Sequence, residues 1–357
     1  MTFSRRTFFQ AVAGAGGIAA LRAQVAGPKT PPLTFLPDPG TNSTVALVKG
    51  ESRRRNIQDA LAAIDQQIQP ILKRKKYVAI KVNNVSTTNQ LAATHADAIR
   101  GILDYLEPRT RLPVTIVESS AGDTMEGFRN FGYDKLPAEL RGHKLDLIDL
   151  NAEAKYQVIP LIDYDLHIQP VRLAARLLDP DAFVISAGIL KTHNTVVATL
   201  SVKNMVLGAP LHFAPRETPR WNDKRKYHTG IRQTHYNMLL TAQKLQPNWG
   251  VAVLDGYEGM EGNGPASGTP VPSRVAIAST DFIAADRVAV ECMGINPAWL
   301  GYLNYCGQLG LGRFDIARID VIGEKIAAVQ KKYRMHQDID RELEWMGEMK
   351  DLPPKIG

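Results

Sequence analysis

Cysteine is scarce in this sequence: its 357 residues include only Cys292 and Cys306, and these do not form a C-x-x-C pair. An iron–sulfur cluster normally takes four thiolates, so such a cluster is excluded as a cofactor held within this chain. The sequence also lacks the G-x-x-x-x-G-K-[ST] motif of a P-loop and any flavin or nicotinamide fingerprint, and it therefore identifies no cofactor. Two interpretations of the cysteines stay open, a disulfide in an oxidising compartment or two buried free thiols.

Acidic residues are absent before Asp38. The chain begins MTFSRRTFFQ, which places Arg5 and Arg6 between a serine and two phenylalanines, and an alanine- and glycine-rich run follows over residues 11–21. This pattern resembles a twin-arginine export signal. We therefore predict a signal peptide over residues 1–26, the twin-arginine translocase as a partner, and a periplasmic or extracytoplasmic protein that is exported folded. An ordinary basic secretory leader and a chance Arg-Arg pair are the alternatives.

Long hydrophobic runs are absent as well. The apolar run after the two arginines is shorter than the roughly 20 residues that span a bilayer, so we predict no stable membrane span after cleavage. The net charge is +7, and three of the arginines that contribute to it lie in the leader. The basic tracts at 53–55 and 73–76 have no aromatic residues between their charges, which indicates solvated helix ends and no nucleic-acid partner.

Apolar strand-like runs alternate with helical patterns through most of the chain. This alternation predicts an α/β fold with a mostly parallel sheet, helices on both faces, and a site at the carboxyl ends of the strands. The predicted strands cover residues 45–48, 77–82, 114–118, 145–150, 183–187, 251–255, 275–279 and 319–323. The predicted helices include 56–72, capped by Asn56, and 95–106, capped by Thr94.

The domain limits follow from composition. Residues 27–43 contain five prolines and predict a linker between the leader and the domain. The α/β domain is predicted over residues 44–324, as one or two lobes, with a histidine- and lysine-rich excursion at 191–247. Residues 325–357 are predicted to form a helical tail.

Polar residues follow several predicted strands, at the edge where open α/β sheets bind their ligands. Asn83 follows the second predicted strand, Asp123 follows the third, and Asp255 ends the sixth. Several such strand ends on one edge predict a ligand site. We expect Asn83 and Asp123 to bind the ligand or a cofactor, and Asp255 to act as a catalytic residue that holds a metal or a hydroxyl group.

A second group of polar residues follows the fifth predicted strand. Lys191 and His193 come soon after it, and Lys203 lies ten residues beyond His193 and next to Asn204. We predict catalytic roles for the first three, with His193 as acid or base, Lys203 as anion clamp or covalent attachment point, and Asn204 as a binding residue. The alternative is that Lys203 lies on a solvated helix face and His193 caps a turn. The helix at 199–207 is largely apolar, which argues against that alternative, because a lysine on such a helix is expected to be buried and then needs a partner for its charge.

Four side chains are candidate metal ligands, His193, His212, His228 and Glu261. The histidines lack the i, i+4 spacing of a helical zinc pair, so no spacing pattern in the sequence identifies a metal site, and these four residues stay candidates.

The segment over residues 256–268 contains five glycines. A backbone so rich in glycine can present amide groups to an anion, and we predict that Gly262 and Gly264 bind a ligand or cofactor there. A merely tight loop is the alternative.

Several of these segments together resemble one family. ILKTH at 189–193, LSVKN at 200–204, the EGNGP block at 261–265 and the TD…AD pattern at 280–286 resemble the uncharacterised bacterial and archaeal family called domain of unknown function 362. The resemblance extends over residues 44–324. Many members resemble iron–sulfur proteins because ferredoxin-like cysteine motifs accompany the domain, and those motifs are absent here. The resemblance implies no particular reaction.

The spacing of His193 and Lys203 is also similar to that of lactate racemase and its relatives, in which a histidine is followed ten residues later by a lysine. In that family the lysine holds a nickel-pincer nucleotide covalently, and histidines act as metal ligand and as acid or base. The glycines around that lysine are replaced here by Ser201 and Val202. The resemblance implies, as one alternative, a racemase- or epimerase-like enzyme with a lysine-bound metal cofactor.

The preferred interpretation is an exported α/β protein whose polar, cationic cleft binds a small anionic or polar organic ligand as an enzyme. The competing class is a periplasmic ligand-binding protein without catalysis.

Overall fold

The computed structural model describes residues 40–212 and 221–348, with the exception of Arg141 and His143. The predicted signal over 1–26, most of the predicted linker over 27–43 and the end of the predicted tail lie outside the described residues. Within the described part, no helix has the length and apolar character that crossing a bilayer requires.

The described residues form twelve strands, ten of them in one sheet. The strands are β1 (Ser43–Lys49), β2 (Tyr77–Lys81), β3 (Val114–Glu118), β4 (Leu145–Asp149), β5 (Tyr156–Ile162), β6 (Ile168–Ala174), β7 (Ala182–His193), β8 (Val197–Thr199), β9 (Trp249–Glu261), β10 (Thr269–Val271), β11 (Val275–Ser279) and β12 (Ile319–Gly323). The order across the sheet is β12-β1-β11-β9-β7-β2-β3-β4, while β8 and β10 pair with the ends of β7 and β9. Only β11 runs antiparallel to its two neighbours on that path, and β5 and β6 form a separate hairpin. The predicted α/β class and mostly parallel sheet are confirmed.

Helices lie on both faces of the sheet. Their bounds are α1 (Arg53–Ala63), α2 (Asp65–Leu72), α3 (Ala96–Leu106), α4 (Thr124–Asn130), α5 (Leu136–Glu139), α6 (Leu150–Glu153), α7 (Ser201–Val206), α8 (Ile231–Leu245), α9 (Phe282–Cys292), α10 (Gly301–Gln308), α11 (Ile326–Val329) and α12 (Ile339–Glu342). Successive residues of a strand point to opposite faces. Val78 and Ile80 accordingly belong to the core under α1 to α3, whereas Ala79 belongs to the core under α7 to α10.

Two predicted helix starts were wrong, and the reason is the same for both. Asn56 does not cap a helix: Ser52 caps α1, and the Asn56 amide, buried inside α1, donates to the carbonyl oxygens of Gly50 and Arg274 at 3.0 Å. Thr94 does not cap α3 either, because His95 does so. The Thr94 hydroxyl donates instead to the Ala187 carbonyl at 2.8 Å. Both polar side chains are used in tertiary contacts that a local sequence pattern does not reveal.

The central strands are much longer than predicted. β7 has 12 residues and β9 has 13, because both continue past the sheet edge into short hairpins with β8 and β10. The predicted excursion at 191–247 includes α7 and the 15-residue helix α8. Beyond β12, the described tail has only short helices, with Val329 and Tyr333 buried against the body.

The two cysteines are free and buried. Burial raises the pKa of the Cys292 thiol to about 12 and also raises the pKa of the Cys306 thiol.

Candidate functional site

A polar cleft of about 560 Å³ opens at the carboxyl ends of β2, β3 and β7. Its described lining has four apolar residues, Val85, Ala121, Leu207 and Pro265. The polar lining residues include Lys81, Asn83, Asn84, Glu118, Ser119, Ser120, His193, Asn194, Lys203, Asn204, Asn222, Lys224, Arg225 and His228. Four of these are lysine or arginine and one is a carboxylate, so the cleft has an excess of positive charge.

The floor of the cleft is a buried ion pair. Lys81 ends β2 and Glu118 ends the neighbouring strand β3, and their side-chain atoms Nζ and Oε1 lie 2.7 Å apart with almost no exposure to solvent. Glu118 also accepts hydrogen bonds from the backbone N–H groups of Asn84 and Ser119, at 2.7 and 2.8 Å. Burial lowers the pKa of Lys81, and the charge of Glu118 opposes that shift. The charges of Lys81 and Glu118 have their partners within the protein, so we expect these two side chains to keep their positions whether or not a ligand is bound.

Asn204, on helix α7, joins the helix to this floor. Its side-chain nitrogen donates to the Lys81 carbonyl and to the Ser186 hydroxyl, both at 3.1 Å. Its side-chain oxygen accepts from the amide of Asn83 at 3.1 Å and from the Lys81 ammonium at 3.2 Å. Asn204 therefore fixes the position of the residue before it, Lys203.

Lys203 is the unusual member of the cleft. Its side chain lines the cavity, only 6% of the residue is exposed, and the ammonium group has no hydrogen-bond or ion-pair partner among the described residues. Burial and the nearby charge of Lys81 lower the pKa of Lys203 to about 8, although Glu118 opposes the shift. A largely desolvated ammonium without a partner is costly, and such groups are found preferentially at functional sites.

His193, at the end of β7, lines the same cavity and is 3% exposed. Its Nδ1 accepts a hydrogen bond from the backbone N–H of Thr195 at 3.1 Å. Burial, together with the charge of Lys203, lowers the pKa of His193 well below its usual range. The ring is therefore neutral at pH 7, and since Nδ1 is an acceptor, Nε2 carries the proton.

The family profile for "Domain of unknown function (DUF362)" matches residues 78–291, which include the Lys81–Glu118 floor, His193 and Lys203. The chain is a member of the DUF362 family. A thylakoid-associated protein of Synechocystis sp. is 29% identical over 143 residues, which are 40% of this chain and 41% of that protein. A crystal structure of a Thermotoga maritima protein covers 60% of this chain and 52% of that chain, with 9% identity and a TM-score of 0.38.

Two buried carboxyl groups, those of Asp286 and Glu342, hold α7 and the turn after His193 in place in this DUF362 protein, and burial raises their pKa values to about 8 and about 7. Asp286 accepts hydrogen bonds from the first two backbone N–H groups of α7, Ser201 at 2.8 Å and Val202 at 2.9 Å. Glu342 accepts from the backbone N–H of Val197 at 2.7 Å, just after the turn that follows His193. Val197 has a φ of 70°, a left-handed conformation that is strained for a β-branched residue, so this contact stabilises an unfavourable turn.

Lys191 is completely buried beneath the cleft and does not line it. Its Nζ donates to the carbonyl oxygen of Ala92 at 2.9 Å. Burial, and the charge of Lys203, lower the pKa of Lys191 well below its usual range. The structure therefore brings His193, Lys203, Asn83 and Asn204 to the cleft wall and leaves Lys191 behind it.

Four other predicted site residues lie away from the cleft lining. Asp255 forms an ion pair with Arg53, with 3.0 Å between Oδ2 and Nε, and burial raises its pKa. Asp123 caps α4 by accepting from the backbone N–H of Glu126 at 2.8 Å. The remaining two are the glycines of the β9–β10 turn.

In that turn, the amide of Gly262 donates to the Arg334 carbonyl at 2.7 Å, and the amide of Gly264 donates to the Gly262 carbonyl at 2.8 Å. Gly264 packs so closely on the backbone of Thr192 that a Cβ would lie 2.0 Å from its oxygen. The turn contributes Pro265 to the cleft edge.

The candidate metal ligands do not converge. His212 contacts the Ser120 carbonyl through Nε2, Glu261 contacts Arg334, and His228 lines the cleft. Among the described residues, no three His, Cys, Asp or Glu side chains are grouped so that they could hold a metal ion.

Sequence reasoning missed Lys81, Glu118 and Lys224. Lys81 is the second-last residue of the predicted strand at 77–82 and Glu118 is the last residue of the one at 114–118, and only their polar neighbours were selected. Lys224 is half-buried; its Nζ donates to the Ser119 hydroxyl at 2.9 Å and to the Leu207 carbonyl at 3.1 Å, and burial lowers its pKa to about 7. A charged residue at the end of a buried strand was the available sequence signal for Lys81 and Glu118. No sequence pattern identified Lys224.

Proposed function

We propose that this DUF362 protein is an enzyme that binds a small organic anion in the cleft, with Lys203 holding the anion and His193 acting in proton transfer. The observation that carries the proposal is the Lys203 ammonium: the residue is only 6% exposed, its Nζ is still reached by solvent in the cleft, and it has no partner among the described residues. A carboxylate or phosphate of the ligand would satisfy that ammonium. The proposed site is complete only when an anion occupies it.

The charge balance of the cleft supports an anionic ligand. Among the described residues, the single lining carboxylate, Glu118, is already paired with Lys81. Lys203 and Arg225 remain on the described cleft wall as cations without a carboxylate, and Lys224, whose pKa burial lowers to about 7, adds a partial positive charge that a bound anion would increase. A ligand with two negative charges matches this excess better than a neutral or monoanionic one.

Unused hydrogen-bonding groups support a ligand that also has hydroxyl or carbonyl oxygens. The side-chain oxygen of Asn83, the side-chain nitrogen of Asn84 and the Ser120 hydroxyl are buried without partners among the described residues, and all three residues line the cleft. Buried polar groups are normally satisfied, so we expect these side chains to rotate toward a polar ligand once it occupies the cleft that their residues line.

Burial and the charge of Lys203 lower the pKa of the His193 ring, and a bound anion that offsets this charge would bring the ring toward proton transfer. The ring is neutral, its Nδ1 is fixed by the Thr195 N–H, and its Nε2 carries a proton that it can donate to a bound ligand. His228 lines the same cleft; desolvation and the charges of Lys203 and Lys224 lower its pKa, although much of the residue remains exposed.

Calorimetric titration with small dicarboxylates and phosphate monoesters tests the binding step. Lys203→Gln should weaken the binding of a dianion by roughly tenfold or more, because a charge-assisted hydrogen bond contributes about 1.5–3 kcal/mol. Lys244→Gln is the matched control, since it removes the same charge from an exposed position on α8. Equal affinities in the two variants would contradict the proposal.

Once a ligand is known, His193→Gln separates an enzyme from a binding protein. The variant should retain binding and lose turnover if His193 transfers protons. A wild-type protein that binds the ligand and never converts it would instead be a non-catalytic binding protein.

We also propose that the protein is exported folded through the twin-arginine route, on the basis of Arg5 and Arg6. The variant Arg5→Lys/Arg6→Lys should accumulate in the cytoplasm while the parent reaches the periplasm, as measured by cell fractionation. A variant exported as efficiently as the parent would point to an ordinary secretory leader.

A further inference from the structure

Four lysines lie in or directly beneath the cleft, and they differ in how their Nζ atoms are used. Lys81 contacts Glu118, Lys191 donates to a carbonyl, and Lys224 donates to Ser119 and to a carbonyl. Lys203 has no partner among the described residues. We propose that Lys203 is a nucleophile that captures the aldehyde or ketone group of an organic dianion as an imine. This inference rests on the proposed function and names its substrate class.

The position of Lys203 favours the neutral amine that such a reaction needs. The residue is 6% exposed, and the Lys81 ammonium lies close enough to oppose a second positive charge. Desolvation and a neighbouring cation are the two ways in which proteins activate a lysine for attack on a carbonyl. The pKa of about 8 agrees with this placement, because an appreciable fraction of the amine is then neutral near pH 7.5.

The partner that activates the carbonyl is His193. Its Nε2–H can donate a proton to the carbonyl oxygen while the Lys203 lone pair adds to the carbonyl carbon, which forms a C–N bond. One of the two amine protons then returns to Nε2 of His193, which leaves a neutral carbinolamine. Loss of the hydroxyl group and of the last proton on nitrogen, as water, gives the C=N bond of the imine. One carbonyl and one amine thus give one imine and one water, and no oxidant or reductant is needed.

The remaining cations fix the substrate class. With Lys203 committed to the carbonyl, Lys224 and Arg225 are left on the described wall to bind anionic groups. The side chains of Asn83, Asn84 and Ser120 provide unused donors and acceptors for the oxygens between the carbonyl and the charge. An oxo-dicarboxylate or a phosphorylated hydroxyaldehyde has this combination of groups.

Borohydride trapping tests the inference on the purified full-length protein. The probes are 2-oxoglutarate and glyceraldehyde 3-phosphate, and the matched compounds without a carbonyl are 2-hydroxyglutarate and glycerol 3-phosphate. Peptide mass spectrometry locates the reduced adduct. We expect labelling of Lys203 by at least one probe, roughly tenfold or more faster at pH 7.5 than labelling of exposed Lys244, because more of Lys203 is present as neutral amine. The two probes distinguish a carboxylate from a phosphate substrate.

Two further measurements distinguish failure of the imine proposal from failure of the proposed anion site. The matched alcohol should protect Lys203 in the wild-type protein, and Lys203→Arg should give no adduct while it retains a cation for the alcohol. If the alcohols bind and no adduct forms on Lys203, the imine is wrong and the anion site stands. If neither the alcohols nor the carbonyl probes bind, the proposed function itself is wrong and this inference is lost with it.

Discussion

Charged side chains on β9 and in the cleft differ in how completely they are paired. On β9, Asp255 contacts Arg53 and Glu261 contacts Arg334, so each of these two carboxylates has a cation of its own. Among the described residues of the cleft lining, the single carboxylate, Glu118, is paired with Lys81, and Lys203 has no partner. The sequence alone does not distinguish Asp255 from Lys203, because each is a charged residue next to an apolar segment. A structural ion pair has its partner within the protein, whereas a charged group without a partner is a candidate for ligand binding.

The largest effect is expected at the cleft floor, where removal of Glu118 leaves the Lys81 ammonium buried and unpaired. Glu118→Leu should lower the free energy of unfolding by about 3–5 kcal/mol, the usual result of breaking a buried pair from one side. Urea denaturation measures it. The double variant Lys81→Met/Glu118→Leu is the control and should recover most of the loss, because no unpaired charge remains. A single variant within 1 kcal/mol of wild type (roughly the value of a surface pair) would show that the floor is not a buried ion pair.

Replacement of Lys203 should act in the opposite direction. Lys203→Met removes a buried, unpaired charge and should raise the free energy of unfolding at pH 7 by roughly 1–3 kcal/mol while anion binding is lost. The folded state lowers the pKa of this lysine from 10.5 to about 8, so between these values the unfolded chain binds more protons. Stability of the wild type therefore rises with pH across that window.

The measurement is urea denaturation of wild type and Lys203→Met at pH 7 and pH 10. The difference in free energy of unfolding between the variant and the wild type should shrink as the pH rises. Above a pH of about 8 the folded wild-type protein has a neutral Lys203 and no longer carries the charge that the variant lacks. Lys244→Met should show no such trend. A variant less stable than wild type at both pH values would mean that Lys203 has a structural partner.

Replacement of the paired carboxylate Asp255 on β9 should lower the stability of the protein without weakening anion binding. Asp255→Asn removes the charge that pairs with Arg53 and should lower the free energy of unfolding by about 2 kcal/mol, since both side chains are largely buried. Calorimetry should find anion affinity unchanged within about twofold, because Asp255 does not line the cleft. A variant that binds tenfold more weakly would place Asp255 in the site after all.

The fold was predictable to the extent that it depends on local patterns. Buried strands such as β3 and β11 matched their predicted bounds because each is a short apolar run between polar residues. The lengths of β7 and β9 were not predictable, because they depend on hairpin partners that follow in the chain. Asn56 misled the prediction in the same way, since its two carbonyl partners come from outside its helix.

The site was predicted in part. The polar ends of β2 and β7 placed Asn83 and His193 at the correct sheet edge, and the apolar character of α7 correctly indicated that Lys203 is buried. Whether a polar residue has a partner, however, depends on residues distant in sequence. Asp255 and Lys203 were equivalent candidates until Arg53, about 200 residues from Asp255, was found beside it.

The smallest effect is expected at Asp286, which positions Lys203 without lining the cleft. Asp286→Asn retains one oxygen acceptor for the two N–H groups that begin α7, so the loss of stability should be about 1 kcal/mol. A shift of α7 moves Lys203 relative to the floor, and the rate of borohydride trapping should fall severalfold while the affinity for a matched alcohol changes less. Asp123→Asn, which alters a similar cap on α4, is the control and should leave trapping unchanged. If both variants trap at the wild-type rate, the Asp286 carboxyl group supports the fold alone, and the orientation of Lys203 is set by Asn204 through its hydrogen bonds to Lys81, Asn83 and Ser186.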